Sequence, residues 1–276
     1  MAIPAILLIL VCMFGILICI LQAFGLLGVA GIDLSSKYLI NVLTSNDFIK
    51  TLLYTFYISF VEAIISLIIG FVISIYLIKN NIGKISILHI PITIPHIVVA
   101  MFTILLFAQN GFMPHIGHNL GIINNSYDFI SIINDQYGIG IIIAYIWKST
   151  AYVISIVYVI LRNYNNDYYE VSYSLNSSYK NYVFDVILPL TKNTLIFCFM
   201  VIFSYSFGAY ELPYLLGSTS NRTLPVLSYL EYISPELSGR VTSQCYNLVM
   251  ISIGFIFIII YSKVITSYNE DKYSLS

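Results

Sequence analysis

The chain has 276 residues, of which 59% are hydrophobic and only 9% are charged, and its formal net charge is −1. Soluble domains carry roughly 25% charged residues, so water is excluded as the solvent for most of this chain. The near-zero charge, with Lys and Arg scattered along the sequence, gives no footprint for nucleic acid. Cys12, Cys19, Cys198 and Cys245 lie in or beside apolar runs without C-x-x-C spacing. They read as small core or lipid-facing residues rather than a disulfide frame or a zinc site.

A membrane-spanning helix needs about 20 mainly apolar residues, because the hydrocarbon core is roughly 30 Å thick and each residue rises about 1.5 Å. Six segments meet that length: Ile3 to Ala30, Thr51 to Ile78, Ile85 to Ala108, Gly138 to Ile160, Thr194 to Leu216 and Tyr246 to Thr266. The first is longer than the apolar core of about 7 to 15 residues in a signal peptide and has no Lys or Arg before it, so it reads as a retained span. The second holds Glu62 and the fourth Lys148. The loop from Gln109 to Tyr137, with Gly111, Pro114, Gly117 and Gly121, reads as an irregular or short-helical cap. The loop from Ser218 to Gln244 carries Pro225 and Pro235.

An even number of spans puts both termini on one side. With the termini inside, the inner regions hold Lys79, Lys84, Arg162, Lys180, Lys192, Lys263 and Lys272, and the outer loops hold Lys37, Lys50, Arg222 and Arg240. Seven against four favours cytoplasmic termini by the positive-inside tendency. The expected architecture is therefore one all-α membrane domain over 1–276, with the segment 162–192 between the fourth and fifth spans in the cytoplasm.

That segment is the polar part of an oily chain. Asn166 or Asp167 can cap a helix, Tyr168 to Leu175 can form two turns, and Asn176 tolerates the left-handed conformation that ends a helix. Ser177 offers a second cap, after which Tyr179, Tyr182, Val183 and Val186 fall on one helical face, and Pro189 is expected to end that helix. The result is a two-helix knob, suited equally to linking two spans and to seating in a groove of another subunit. Its residues Glu170-Val171-Ser172, Asn176 and Val186-Ile187-Leu188-Pro189 resemble the EAA loop of ATP-binding-cassette importer permeases, with two alanines and a Gly replaced by Val171, Ser172 and Asn176. Phe207-Gly208-Ala209-Tyr210-Glu211-Leu212-Pro213-Tyr214-Leu215-Leu216-Gly217 looks like permeases of the spermidine/putrescine and phosphonate import groups. Similar flavour appears in Pro91 to His96 and in Gly138 to Lys148.

The resemblance implies a MetI-like permease fold in the cell membrane, moving a small polar solute by alternating access. It implies an ATP-binding subunit dimer, a second permease subunit and an extracytoplasmic solute-binding protein as partners. Glu170, Val171, Ser172, Asn176, Leu188 and Pro189 would then couple to the ATPase. No cofactor is implied, and the chain is not expected to be an enzyme, since its only Gly-Lys dipeptide, Gly83-Lys84, lacks the phosphate-cradling pattern.

Ionisable groups at bilayer depth are costly and usually face a cavity or a partner. Glu62 and Lys148, counted inward along their spans, reach similar depth and could meet, either lining the path or fixing helix packing. Glu211, beside Tyr210 and Pro213, sits where a break could open a cavity mouth, and a carboxylate flanked by tyrosines would suit a cation. His115 with His118, and His89 with His96, lack a third ligand and make weak metal candidates. A stand-alone ion-coupled carrier using Glu62, Lys148 and Glu211 is the alternative reading.

Overall fold

The computed structural model describes residues 3–26, 37–83, 86–125, 128–130, 132–174 and 177–274. The elements in chain order are α1 (Ile3–Ala23), α2 (Lys37–Thr44), α3 (Asn46–Lys79), a 3-10 turn (Ser86–His89), α4 (Ile90–Thr93), α5 (His96–Phe107) and α6 (Phe112–Asn119). They continue with α7 (Ile139–Ser174), α8 (Tyr179–Tyr182), a π-helical turn (Val183–Ile187), α9 (Leu188–Gly208), α10 (Glu211–Leu216), α11 (Leu224–Ile233) and α12 (Leu237–Ser274). Among the described residues, six stretches are long and apolar enough to cross a membrane: Pro4–Ala23, Asn46–Lys79, His96–Asn119, Ile139–Asn163, Tyr179–Gly208 and Leu237–Lys263. The expected all-α, six-span architecture is what the chain adopts.

The boundaries differ from expectation for local reasons. The second span starts earlier because Ser45 caps it, its hydroxyl accepting the Phe48 N–H at 3.3 Å, with Asp47 in the first turn and Lys79 in the last complementing the helix dipole. The third is broken. Ile94, held extended (φ −77°, ψ 129°) by the following Pro95, separates α4 from α5. The fifth begins far earlier, at Tyr179, and stops at Gly208, where Ala209 turns extended and Glu211 opens the separate short α10. The last begins at Leu237, nine residues before the expected Tyr246, so α12 takes up the end of the polar loop.

The centre of the bundle is α3, α7 and α9. Ala63, Val153, Val157, Leu161, Cys198, Ile202 and Phe203 form one buried core. Close approach depends on Gly70, where a Cβ would lie 2.6 Å from that of Val153. A second core joins α3, α5, α7 and α10 through Ile58, Ala100, Ile141, Tyr145 and Leu212. By contrast, α1 packs along α12 and leaves Leu7, Leu8, Leu10 and Val11 exposed. In lipid such an apolar surface costs nothing, and the helix satisfies its own backbone.

Candidate functional site

Two regions bring the singled-out residues together, one at the junction of the fourth and fifth spans and one inside the bundle. At the junction, α7 runs unbroken to Ser174, about eleven residues and roughly 16 Å beyond Asn163. No new helix starts at Asn166 or Asp167, contrary to expectation. Polar residues in a helix interior cost only tenths of a kcal/mol each, whereas each further turn on an existing helix avoids the cost of nucleation. Glu170 and Val171 lie in the last turns of α7, and Ser172 is buried there with its carbonyl accepting the Ser177 N–H at 3.2 Å. Leu175 and Asn176 lie outside the described residues. The second cap is Ser178 rather than Ser177, its hydroxyl accepting the Asn181 N–H at 3.3 Å.

From Ser178 the chain re-enters the bundle without stopping. Tyr182 is buried, and Tyr179, Val183 and Val186 pack on the core beside Leu161 and Val157, so the expected apolar face is present. Pro189 does not end the helix. The π turn before it, in which the Leu188 N–H reaches back to the Val183 carbonyl, widens the coil where the proline ring would otherwise clash, and Pro189 then occupies the first turn of α9. Leu188 is half-buried and Pro189 exposed. Two contacts tie this junction to the end of α3. The Lys79 ammonium sits 4.3 Å from the centre of the Tyr179 ring, and the Tyr158 hydroxyl donates to the Ile82 carbonyl at 2.9 Å.

Inside the bundle Glu62 is fully buried on α3. Ser66 donates to one of its oxygens at 3.2 Å, and the hydroxyls of Ser206 and Ser149 lie within its reach. Lys148 is the neighbour of Ser149, yet the two side chains point about 100° apart around α7. Ser149 faces Glu62 while Lys148 turns toward α5, where its ammonium donates to the Ile94 carbonyl. The expected encounter of Glu62 with Lys148 does not occur, because the pair sits on different faces. The α4–α5 break explains the partner actually used: Ile94 stands outside both helices, so its carbonyl is free to accept.

His96, the first residue of α5, bonds the Tyr205 hydroxyl at 2.9 Å and lies 3.8 Å from the Glu211 carboxylate. This link between the third and fifth spans was not inferred. Its signal was the Pro91-x-x-x-Pro95-His96 pattern, which forces a break and turns His96 away from a continuous helix. Tyr210 packs against Tyr214 and Tyr229 with tilted rings, their centres 5.3 and 4.9 Å away, so the tyrosines beside Glu211 form their own cluster. A cavity of about 260 Å³ opens between α5, α7 and α9, walled by His96, Tyr145, Lys148, Tyr152, Val201 and Tyr205. Among the described residues no three His, Cys, Asp or Glu side chains gather as metal ligands would.

The family model described as binding-protein-dependent transport system inner membrane component matches residues 86–269. No curated protein matches the chain in sequence. Among solved structures, a bacterial ABC transporter involved in the import of the acidic polysaccharide alginate is similar over 95% of this chain and 92% of its own, with a TM-score of 0.78 and 13% identity. The bacterial alginate ABC transporter in complex with an alginate pentasaccharide-bound periplasmic protein gives 0.75 over 95% and 91%, also at 13% identity. The inward-facing MetNI methionine ABC transporter gives 0.58 over 84% and 99% at 14% identity. At these identities the structural likeness concerns the fold. The family match spans more than half of the chain and includes the α7–α8 junction, and on that ground the chain belongs to the family of binding-protein-dependent transport system inner membrane components.

Proposed function

We propose that this permease, a single transmembrane domain over 1–276 with both termini in the cytoplasm, moves a small polar solute of phosphonate-like or polyamine-like chemistry inward by alternating access. ATP hydrolysis in a partner dimer drives it, a second permease subunit completes the pathway, and an extracytoplasmic binding protein delivers the solute. The single observation that carries this reading is the α7–α8 junction. It projects beyond the apolar spans on one helix and returns on another that is continuous with the fifth span.

A push on Glu170, Val171, Ser172 and Asn176 would be transmitted through Leu188 and Pro189 into α9, and through Tyr179 and Lys79 into α3. Those helices, with α7, enclose Glu62 and Lys148, while Tyr210 and Glu211 stand at the opposite mouth. Motion at one end would thus re-form the polar interior, which is what alternating access requires. The solved alginate complex includes a periplasmic binding protein, which supports the same division of labour here. Family membership also favours an ATP-driven mechanism over a stand-alone ion-coupled carrier.

The test is a double substitution, Glu170→Lys with Asn176→Trp. Co-purification of the ATPase subunit is expected to be lost while membrane insertion stays intact. Undiminished co-purification would remove these residues from the coupling role.

A further inference from the structure

The cavity between α5, α7 and α9 contains an ammonium group whose hydrogen-bonding capacity is mostly unspent. Lys148 Nζ carries three donors, and one goes to the Ile94 carbonyl. Among the described residues it has no second acceptor, and no carboxylate comes within 4.0 Å of it. The nearest candidate, Glu211, is turned to His96. Tyr205 spends its hydroxyl on the same imidazole. Glu62 accepts from Ser66 and is not among the residues that wall the cavity. Glu211 and Tyr205, the acceptors nearest the ammonium, are therefore engaged with His96, while the strongest donor faces open space between aromatic walls.

An ionised lysine at bilayer depth is retained where it serves a cavity or a partner. A volume of about 260 Å³ lies near the lower end of the ~300–1,000 Å³ typical of small-molecule sites. It would admit a small head group and not a polymer. A solute cation placed there would meet Lys148 as a like charge, whereas a phosphonate, phosphate or carboxylate oxygen could take its free N–H donors, and ammonium–anion hydrogen bonds are the stronger class.

We infer that Lys148 and the rings of Tyr145, Tyr152 and Tyr205 form a subsite for the anionic head group of the transported solute. This rests on the reading of the bundle as an import pathway, and it selects the phosphonate-like over the polyamine-like solute.

The test uses the assembled permease–ATPase complex in lipid nanodiscs without ATP. Val201→Cys places a thiol on the cavity wall, in a Cys12→Ser background because Cys12 is the exposed native cysteine. Labelling by a neutral maleimide is followed with methylphosphonate or putrescine as protectant. Methylphosphonate is expected to slow labelling at least about tenfold and putrescine to have no effect, ammonium–anion pairing being the discriminating contact. The half-protecting concentration of methylphosphonate should rise about tenfold or more in Lys148→Met and return toward the parent value in Lys148→Arg, since either cation can pair with the anion. Protection by putrescine in place of methylphosphonate, protection by neither, or protection indifferent to Lys148→Met would each overturn the assignment. Should Lys148→Met fail to assemble, the order of the two protectants in the parent protein decides alone. Loss of ATPase co-purification in the parent would instead contradict the importer reading, so the two failures are distinguishable.

Discussion

Gly70 offers a demanding test of how the central helices are packed. A Cβ at this position would lie 2.6 Å from Val153 Cβ, 2.7 Å from Val153 Cγ1 and 3.2 Å from the Thr150 carbonyl oxygen. Carbon atoms pack best at about 3.5–4.0 Å, so Gly70→Ala demands about 1 Å of separation between α3 and α7. Val153 is fully buried and its Cβ is fixed to the backbone, so no rotamer change relieves the contact. The helices must move apart, and overpacking of this kind costs about 1–3 kcal/mol. Thermal denaturation of the detergent-solubilised complex, followed by fluorescence-detected size exclusion, is expected to register a clear drop in midpoint. A double-mutant cycle localises the cause. Val153→Gly removes the obstructing Cβ and should largely abolish the added penalty of Gly70→Ala, whereas Val153→Ala keeps that atom and should not. A Gly70→Ala melt indistinguishable from wild type, or equal relief by both partners, would refute the argument.

Further substitutions probe the ends of the bundle. Thr55 on α3 accepts the Leu224 N–H at 2.8 Å, tying the start of α11 to the second span; Thr55→Val should cost about 1–3 kcal/mol by stranding that buried donor and speed hydrogen exchange at the start of α11, while Thr55→Ser should behave as wild type. At Gly138, φ is +69° and a Cβ would meet Ile58 Cδ1 and the Tyr54 hydroxyl at 2.8 Å. Gly138→Ala therefore combines a strained backbone with a clash just before α7 and should lower thermostability by more than about 1 kcal/mol, and an unchanged melting profile would contradict this.

Hydropathy located all six spans because the bilayer sets a minimum length for apolar runs, and that signal survives without knowledge of tertiary contacts. The α7–α8 junction was legible for the same reason, as polar residues trapped between two spans. Its internal geometry was not. Asn166 and Asp167 read locally as caps, but a helix already formed through Ile139–Asn163 continues past them. Pro189 read as a stop, but the π turn at Val183–Ile187 absorbs it. Depth along a helix could be counted, which placed Glu62 and Lys148 at one level. The facing of those side chains depends on where neighbouring helices lie, and this separated them. The His96–Glu211 contact joins residues 115 positions apart, across breaks that only the fold brings together.

The central claim, that the α7–α8 junction meets an ATPase, is tested most directly by photo-crosslinking in intact cells. A photoreactive amino acid replaces Ser177, exposed at the junction, or Asn221, exposed in the loop at the opposite end of the bundle. The account predicts that the probe at 177 captures a P-loop ATPase in a manner altered by ATP depletion, and that the probe at 221 does not. Capture of the ATPase from 221, or its absence from 177 in cells that express the assembled complex, would contradict it.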